Sequence, residues 1–119
     1  MDGFDASLAE GVMLLTPFNA DATDEATVNF VTKYQELYGE TPNQFAADAY
    51  DGVHAVAEAL KEAGLGVDAD PTEVAEKLPK AMLKITVDGL TGKLTWNDKG
   101  QVQKDPTAYV ITDGKYVQA

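Results

Sequence analysis

The sequence predicts an α/β fold in which one short buried strand precedes two long helices, a shorter helix and a strand-rich C-terminal section. Three observations support this prediction. Residues 12–15 form an apolar run between chain breakers, and residues 44–64 repeat apolar side chains at helical spacing. From Lys84 onward the apolar period changes to two. Helices that lie between strands in this way are typical of mixed α/β chains.

The composition fits one globular domain and argues against several classes of partner. The chain has 119 residues, 45% apolar and 24% charged, which is ordinary for a domain with one core. Nine basic against twenty acidic residues give a net charge of -11, so nucleic acid is not expected as a partner. Cysteine is absent, which excludes disulfides and thiolate chemistry. The sequence shows neither a signal-peptide pattern nor an apolar run of membrane-spanning length.

The first strand is predicted at residues 12–15, which follow Gly11 and precede Thr16 and Pro17. A short apolar run without alternation is typical of a strand buried on both faces inside a parallel sheet. Such a strand needs parallel neighbours, and the chain offers few before its antiparallel tail. We therefore expect further strands upstream of this sequence.

The first helix is predicted to begin after Thr23 or Asp24, either of which can cap it, and to end at Gly39. Its apolar residues recur at helical spacing: Val28, Val31, Tyr34, Leu37 and Tyr38. Only residues 39–43 separate it from the next helix. Because so short a link joins them, the two helices are expected to be neighbours in space.

The second helix, residues 44–64, has the most consistent helical period in the chain, and Gly64 supplies its C-terminal stop. Six apolar residues fall on one narrow stripe that is predicted to face a core: Phe45, Ala49, Val53, Val56, Leu60 and Ala63. Three acidic residues are predicted to lie on the opposite, solvated side: Asp51, Glu58 and Glu62.

A third helix is predicted from Pro71, with Asp70 as its cap, to about Leu78, and it is expected to end or kink at Pro79, which disfavours a helix interior. The tail is predicted to form antiparallel hairpins. Its alternating pairs are Ile85 and Val87, Leu94 and Trp96, and Tyr109 and Ile111. The glycine-containing segments 97–100 and 113–114 are predicted to be its turns.

Two motifs carry a resemblance to a known family. They are Pro-x-x-Phe-Ala-Ala-x-Ala-Tyr-Asp at residues 42–51 and Gly-x-Thr-Gly-x-Leu-x-Trp at residues 89–96. With the strand after Glu10 and Gly11, they make the chain resemble the C-terminal part of type I periplasmic solute-binding proteins, the branched-chain amino-acid receptors of ABC importers. The resemblance covers nearly the whole chain in order.

The resemblance implies two α/β lobes joined by three chain crossings that close over a small ligand. Residues 1–17 would hold a strand of the second lobe, residues 18–83 would be helical first-lobe structure, and residues 84–119 would return across the hinge. The chain would then be a C-terminal fragment, with a signal peptide and most ligand contacts upstream. The parent would be extracytoplasmic and would deliver an amino acid or similar small polar solute to an ABC permease. A free-standing acidic interaction module is the alternative.

Phe45 and Tyr50 are the candidate ligand-binding residues that the resemblance implies for the parent protein. Phe45 matches a position where family members place an aromatic ring against the ligand, although it also suits the first core residue of its stripe. Tyr50 offers a hydroxyl to the cleft, although a half-buried structural tyrosine is common. Asp2 invites comparison with the acidic residue that binds the ligand ammonium, but its spacing to Glu10 is too short.

No catalytic or metal site is expected, so the chain is predicted not to be an enzyme and to need no cofactor. His54 has no second histidine or cysteine to join it as a metal ligand and is predicted to lie at the surface. Asp48 and Asp51 share a helix face but lack a nearby nucleophile, so they are interpreted as a solvated face. The isolated chain is predicted to form a homodimer because its strand edges and apolar surface lack partners, with exchange of the tail as one route.

Overall fold

The structure is a computed structural model, and it describes residues 5–119. It contains three helices and six strands within that range. The helices are α1 (Glu25–Tyr38), α2 (Gln44–Glu62) and α3 (Pro71–Met82). The strands are β1 (Met13–Thr16), β2 (Val87–Gly89), β3 (Gly92–Trp96), β4 (Val102–Gln103), β5 (Thr107–Thr112) and β6 (Lys115–Gln118). A short 3-10 helix, Ala6–Ala9, precedes β1.

The chain divides into two compact units. The first holds the described residues through Gln44 together with Pro106–Ala119, and the second is Phe45–Asp105. The predicted lobe regions, with boundaries at residues 17 and 83, concern the lobes of the parent protein rather than these two units. That division stays a prediction.

The first unit contains an antiparallel sheet in the order β1-β5-β6. Met13 pairs with Val110 and Thr16 pairs with Thr107, so all four residues of β1 pair with β5. The β5–β6 hairpin turns through Asp113 (φ 51) and Gly114 (φ 74), as two-residue hairpin turns require. The predicted hairpin at this position is therefore confirmed.

The predicted burial of the first strand is wrong. β1 pairs antiparallel rather than parallel, and the side chains of Met13 and Leu15 are 65% and 68% exposed. Only Thr16 is buried within β1. A continuous apolar run does not require burial on both faces: Met13 and Leu15 lie on the exposed face of β1, whereas Leu14 and Thr16 lie on its other, more buried face.

Helix α1 begins and ends where the sequence predicts. Asp24 is its N-cap, accepting a hydrogen bond from the Thr27 N–H at 3.0 Å, and Gly39 closes it in the left-handed conformation at φ 71. Its aromatic residues continue a row that starts at buried Phe18. Ring centroids are 6.0 Å apart for Phe18 and Phe30, and 4.7 Å apart for Tyr34 and Tyr38. The row runs from buried Phe18 to Tyr38, which is 66% exposed.

The second unit contains an antiparallel sheet in the order β2-β3-β4. Ala55 of α2 packs with Val87 and Leu94 of the β2–β3 hairpin to form its core. Three partly buried side chains pack against this cluster: Met82, Ile85 and Trp96. The predicted turn at residues 97–100 is present, since the Asn97 side chain accepts hydrogen bonds from the backbone N–H groups of Lys99 and Gln101.

Helix α2 has its predicted limits, but it buries a different face. Phe45 and Val53 of the predicted core stripe are 70% and 72% exposed. The buried residues are instead Ala47, Asp51, Ala55 and Ala59. Small side chains let the helix approach its neighbours closely, and the larger apolar side chains remain on the other side.

Helix α3 continues past Leu78, where the sequence predicts its end. Pro79 lies inside the helix, which runs on to Met82. Proline removes one backbone donor, but Ala81 is buried and Met82 packs against the core of the second unit. Burial of this last turn offsets the missing hydrogen bond. The predicted cap is confirmed, because Asp70 accepts a hydrogen bond from the Thr72 N–H at 2.8 Å.

Candidate functional site

The two predicted ligand-binding residues both lie in the first half of α2, and both are exposed. Phe45 is 70% exposed and Tyr50 is 44% exposed. At 100° per residue, their five-residue separation places them about 140° apart around the helix. They therefore do not share one face, and the structure does not bring them together as a pair. Their role in ligand binding stays a prediction.

Tyr50 stacks on His54, one helical turn further along α2. The ring centroids are 4.4 Å apart with planes tilted by 44°. His54 is exposed, as the sequence predicts. Together the two rings offer an aromatic surface with one hydroxyl and one imidazole, which suits hydrogen bonding and stacking.

Within residues 5–119, no group of three or more acidic, histidine or cysteine side chains is placed to hold a metal ion.

A buried carboxylate, Asp51, directly follows Tyr50 on α2 and is only 3% exposed. Its Oδ1 accepts a hydrogen bond from the Leu90 N–H at 2.8 Å. Its Oδ2 accepts from the Thr91 N–H at 2.9 Å and from the Thr91 hydroxyl at 2.7 Å. The carboxylate thus satisfies the turn between β2 and β3 and joins it to α2. The predicted solvated position of Asp51 is wrong.

The turn that Asp51 holds requires glycine at residue 89. A side-chain Cβ at Gly89 would lie 2.5 Å from the Asp51 Oδ2 and 2.6 Å from its Cγ. Atoms do not approach so closely, so any larger residue would displace the carboxylate. Packing against Asp51 therefore explains the first glycine of the Gly-x-Thr-Gly motif, with Thr91 as the hydroxyl donor, and the positive φ of 113° at Gly92 explains the second.

Lys104 extends this network to the chain that leaves β4. Its ammonium lies 2.5 Å from the Asp48 Oδ1 and donates to the Thr91 Oγ1 at 3.1 Å. The Lys104 side chain is 22% exposed and that of Asp48 is 38% exposed. Asp48 and Asp51 therefore serve the second unit as structural anchors. Neither faces a group that would make it a general acid or base.

Sequence reasoning missed Asp51 because it searched for large apolar residues. Ala47, Asp51, Ala55 and Ala59 recur at exact four-residue steps, which places them on one face. A carboxylate within a stripe of alanines is a signal for a buried, hydrogen-bonded anchor. The hydrogen-bonding partner of Asp51 is Thr91, which the sequence also marks because it lies between Gly89 and Gly92.

The two capping carboxylates show the expected electrostatics. The N–H of Thr27 holds the pKa of Asp24 below its ordinary value, and the N–H of Thr72 does the same for the pKa of Asp70. Both hydrogen bonds favour the ionised form. These groups stabilise helix ends and are not positioned as reactive acids.

An open cavity of about 400 Å³ lies in the second unit, between the end of α3 and the β3–β4 turn. Its walls include Met82, Leu83 and Trp96, with Lys80 and Asp98 also in the lining. Across the described part of the chain, no helix has the length and apolar content that a bilayer crossing needs.

The sequence matches the family profile described as "Periplasmic binding protein" over residues 2–115. This match covers almost the entire chain. The chain belongs to the periplasmic binding protein family. Its predicted resemblance to type I periplasmic binding proteins of ABC transporters is confirmed, and so is its mixed α/β fold. Members of this family are extracytoplasmic receptors for solutes.

Known members show what this periplasmic binding protein chain is similar to. The Leu/Ile/Val-binding protein homolog 4 of Brucella abortus strain 2308 is 32% identical over 79 residues, which are 66% of this chain and 19% of that protein. An ABC transporter substrate-binding protein of Desulfitobacterium hafniense, solved in complex with Leu, is 26% identical with a TM-score of 0.72. That similarity covers 95% of this chain and 32% of the solved one.

A third relative shares the fold at lower identity. It is a solute-binding protein of an ABC transporter from Rhodopseudomonas palustris BisB5, solved in complex with 3,4-dihydroxy benzoic acid. Its TM-score is 0.75 at 23% identity, over 93% of this chain and 30% of that one. The chain thus spans about a fifth of the matched curated relative and about a third of the matched solved structures.

Proposed function

We propose that this chain is the C-terminal part of an extracytoplasmic solute-binding protein that delivers an amino acid or similar small polar solute to an ABC permease. The observation that carries the proposal is the similarity to the Desulfitobacterium hafniense protein in complex with Leu, which extends over 95% of the chain at 26% identity. The curated Leu/Ile/Val-binding homologue supports the same ligand class.

The fold by itself does not choose the ligand. A structure in complex with 3,4-dihydroxy benzoic acid has as high a TM-score as the leucine complex. An aromatic acid and an amino acid share a carboxylate and differ in the ammonium group and side chain. We favour an amino acid as the ligand because the relative solved with Leu has a higher sequence identity to this chain than the relative solved with 3,4-dihydroxy benzoic acid.

Phe45 and Tyr50 are the residues proposed to contact the ligand in the full-length protein. Both side chains are substantially exposed in this chain and are aromatic, which suits contact with an apolar or flat part of a small molecule. Because they point in different directions around α2, we propose that Phe45 contacts the ligand side chain and that Tyr50 contributes a hydroxyl at the margin of the cleft.

The isolated chain is expected to bind no amino acid with the affinity of an intact receptor, because a partial cleft makes too few contacts to offset the ordering cost of binding. Calorimetric titration with leucine, isoleucine, valine, a polar amino-acid panel and benzoate tests this. In the full-length protein, micromolar or tighter binding of one of the amino acids is expected. Phe45→Ala should weaken it at least tenfold, and Val67→Ala is the matched control at a fully exposed site.

Three results would contradict these proposals. Micromolar binding by the 119-residue chain alone would contradict the fragment proposal. Binding of benzoate without any amino acid would contradict the ligand class. Equal affinities for the Phe45→Ala and Val67→Ala proteins would remove Phe45 from the site while leaving the ligand class intact.

We further propose that the isolated chain forms a homodimer. One face of α2 presents Phe45, Ala49, Val53 and Val56 within an arc of about 80°, and all four are exposed. An apolar helix face of this kind is seldom left in water. The edge strands β1 and β6 offer a second route, through exchange of the tail between two chains.

A further inference from the structure

The Asp48–Lys104 ion pair lies close to both ends of the second unit. That unit begins at Phe45 and ends at Asp105. Asp48 is three residues after its beginning, and Lys104 directly precedes its end. The ammonium and the carboxylate are 2.5 Å apart, although 56 residues of chain separate them. One contact therefore joins the two segments by which the chain enters and leaves this unit.

Thr91 anchors the pair to the interior of the unit. Its hydroxyl accepts a hydrogen bond from Lys104 at 3.1 Å and donates one to Asp51 at 2.7 Å. Thr91 is 1% exposed. In the described residues, every buried side-chain nitrogen and oxygen has a hydrogen-bond partner. The ion pair is thus the outer end of a fully satisfied network that reaches the β2–β3 turn.

The environment of this pair differs from that of the other ion pairs. Lys61 and Glu58 are neighbours on one helix, and the Lys61 side chain is 72% exposed. Lys104 is 22% exposed and bridges distant parts of the sequence. Partial burial reduces screening by salt, and a pair that closes a long loop restrains more chain than a pair within one helix.

We propose that Asp48 and Lys104 form a clamp that makes the entering and leaving segments of the second unit move as one body. This inference concerns the second unit alone and does not depend on which ligand the protein binds.

Hydrogen–deuterium exchange of the 119-residue chain, followed by mass spectrometry, tests the clamp. Lys104→Met keeps most of the side-chain volume and removes the charge. It should speed exchange about fivefold in the peptide that covers residues 102–108 and also in the distant peptide that covers residues 45–50. Asp48→Asn should give the same two-segment effect. Lys99→Met, in the exposed β3–β4 turn, should change neither.

A double-variant cycle separates a clamp from two independent contacts. The double variant with Asp48→Asn and Lys104→Met should loosen both segments no more than either single variant does, because the first change already breaks the pair. Circular dichroism establishes that each variant is folded. The clamp is overturned if Lys104→Met affects residues 102–108 only, if exchange rises uniformly over the unit, or if the effects of the two single variants simply add in the double variant.

Discussion

Among single residues, Asp51 has the clearest structural role, because one buried carboxylate accepts three hydrogen bonds from the β2–β3 turn. The donors are the N–H groups of Leu90 and Thr91 and the Thr91 hydroxyl. A buried donor without an acceptor costs its full desolvation penalty. The stability of the second unit therefore depends on this side chain more than on any of the larger exposed apolar residues of α2.

Asp51→Ala is expected to lower the free energy of unfolding by about 3 kcal/mol, since more than one buried donor loses its acceptor. Asp98→Ala removes the same charge from an exposed turn and should change it by less than about 0.5 kcal/mol. Urea unfolding followed by circular dichroism measures both. Equal midpoints for the two variants would mean that the Asp51 hydrogen bonds contribute nothing net.

Among the elements, α2 determines how the second unit is packed. Its buried face is a stripe of alanines with one aspartate, whereas its large apolar residues face away from that core. Ala55 contacts Val87 and Leu94, and no larger side chain would fit without moving the hairpin. Close approach of the helix to the sheet therefore comes from small residues rather than from large ones.

Two substitutions on α2 distinguish the observed face from the one that the apolar stripe predicts. Ala55→Asp places a carboxylate in the core and should cost several kcal/mol, enough to unfold a small unit. Val53→Asp, two positions away at a 72% exposed site, should leave the melting temperature within a few degrees. Thermal melts by circular dichroism compare them. The reverse order of melting temperatures would show that the stripe of large residues is the buried face after all.

For the whole molecule, the exposed α2 face and the high negative charge act in opposite directions on self-association. A net charge of -11 opposes close approach, but its screening length is about 8 Å at physiological salt. Apolar contact acts at shorter range and is not screened. The proposed dimer is therefore expected to strengthen as salt is added, because repulsion falls and the apolar contact persists.

Size exclusion with light scattering, from low micromolar concentration upward, should show a dimer whose fraction grows with concentration and with salt. Val53→Asp should shift the population to monomer without unfolding it, whereas Glu58→Lys, outside the apolar arc, should retain the dimer. A wild-type chain that stays monomeric throughout would contradict the proposal. A dimer that survives Val53→Asp unchanged would favour exchange of the tail over contact through α2.

Local sequence signals by themselves determined the helix limits, the turns and the family of this protein. Asp24, Gly39, Gly64 and Asp113 act through bonds and dihedral angles within a few residues, so their effect is readable without the fold. The two motifs, at residues 42–51 and 89–96, likewise indicate the family from the sequence alone. The end of α3 was the exception, because packing of Met82 acts over a longer range than the proline that was expected to stop the helix.

Only the tertiary structure decided which faces are buried and which polar groups meet. A helical period shows that Val53 and Ala55 point in different directions, but the direction that becomes interior depends on what packs against it. The partners of Asp51 are 39 and 40 residues away, and Lys104 is 56 residues from Asp48. Such contacts form when the hairpin docks on the helix, so no local pattern specifies them. The edge position of β1 has the same origin, since strand pairing with β5 joins residues almost a hundred positions apart.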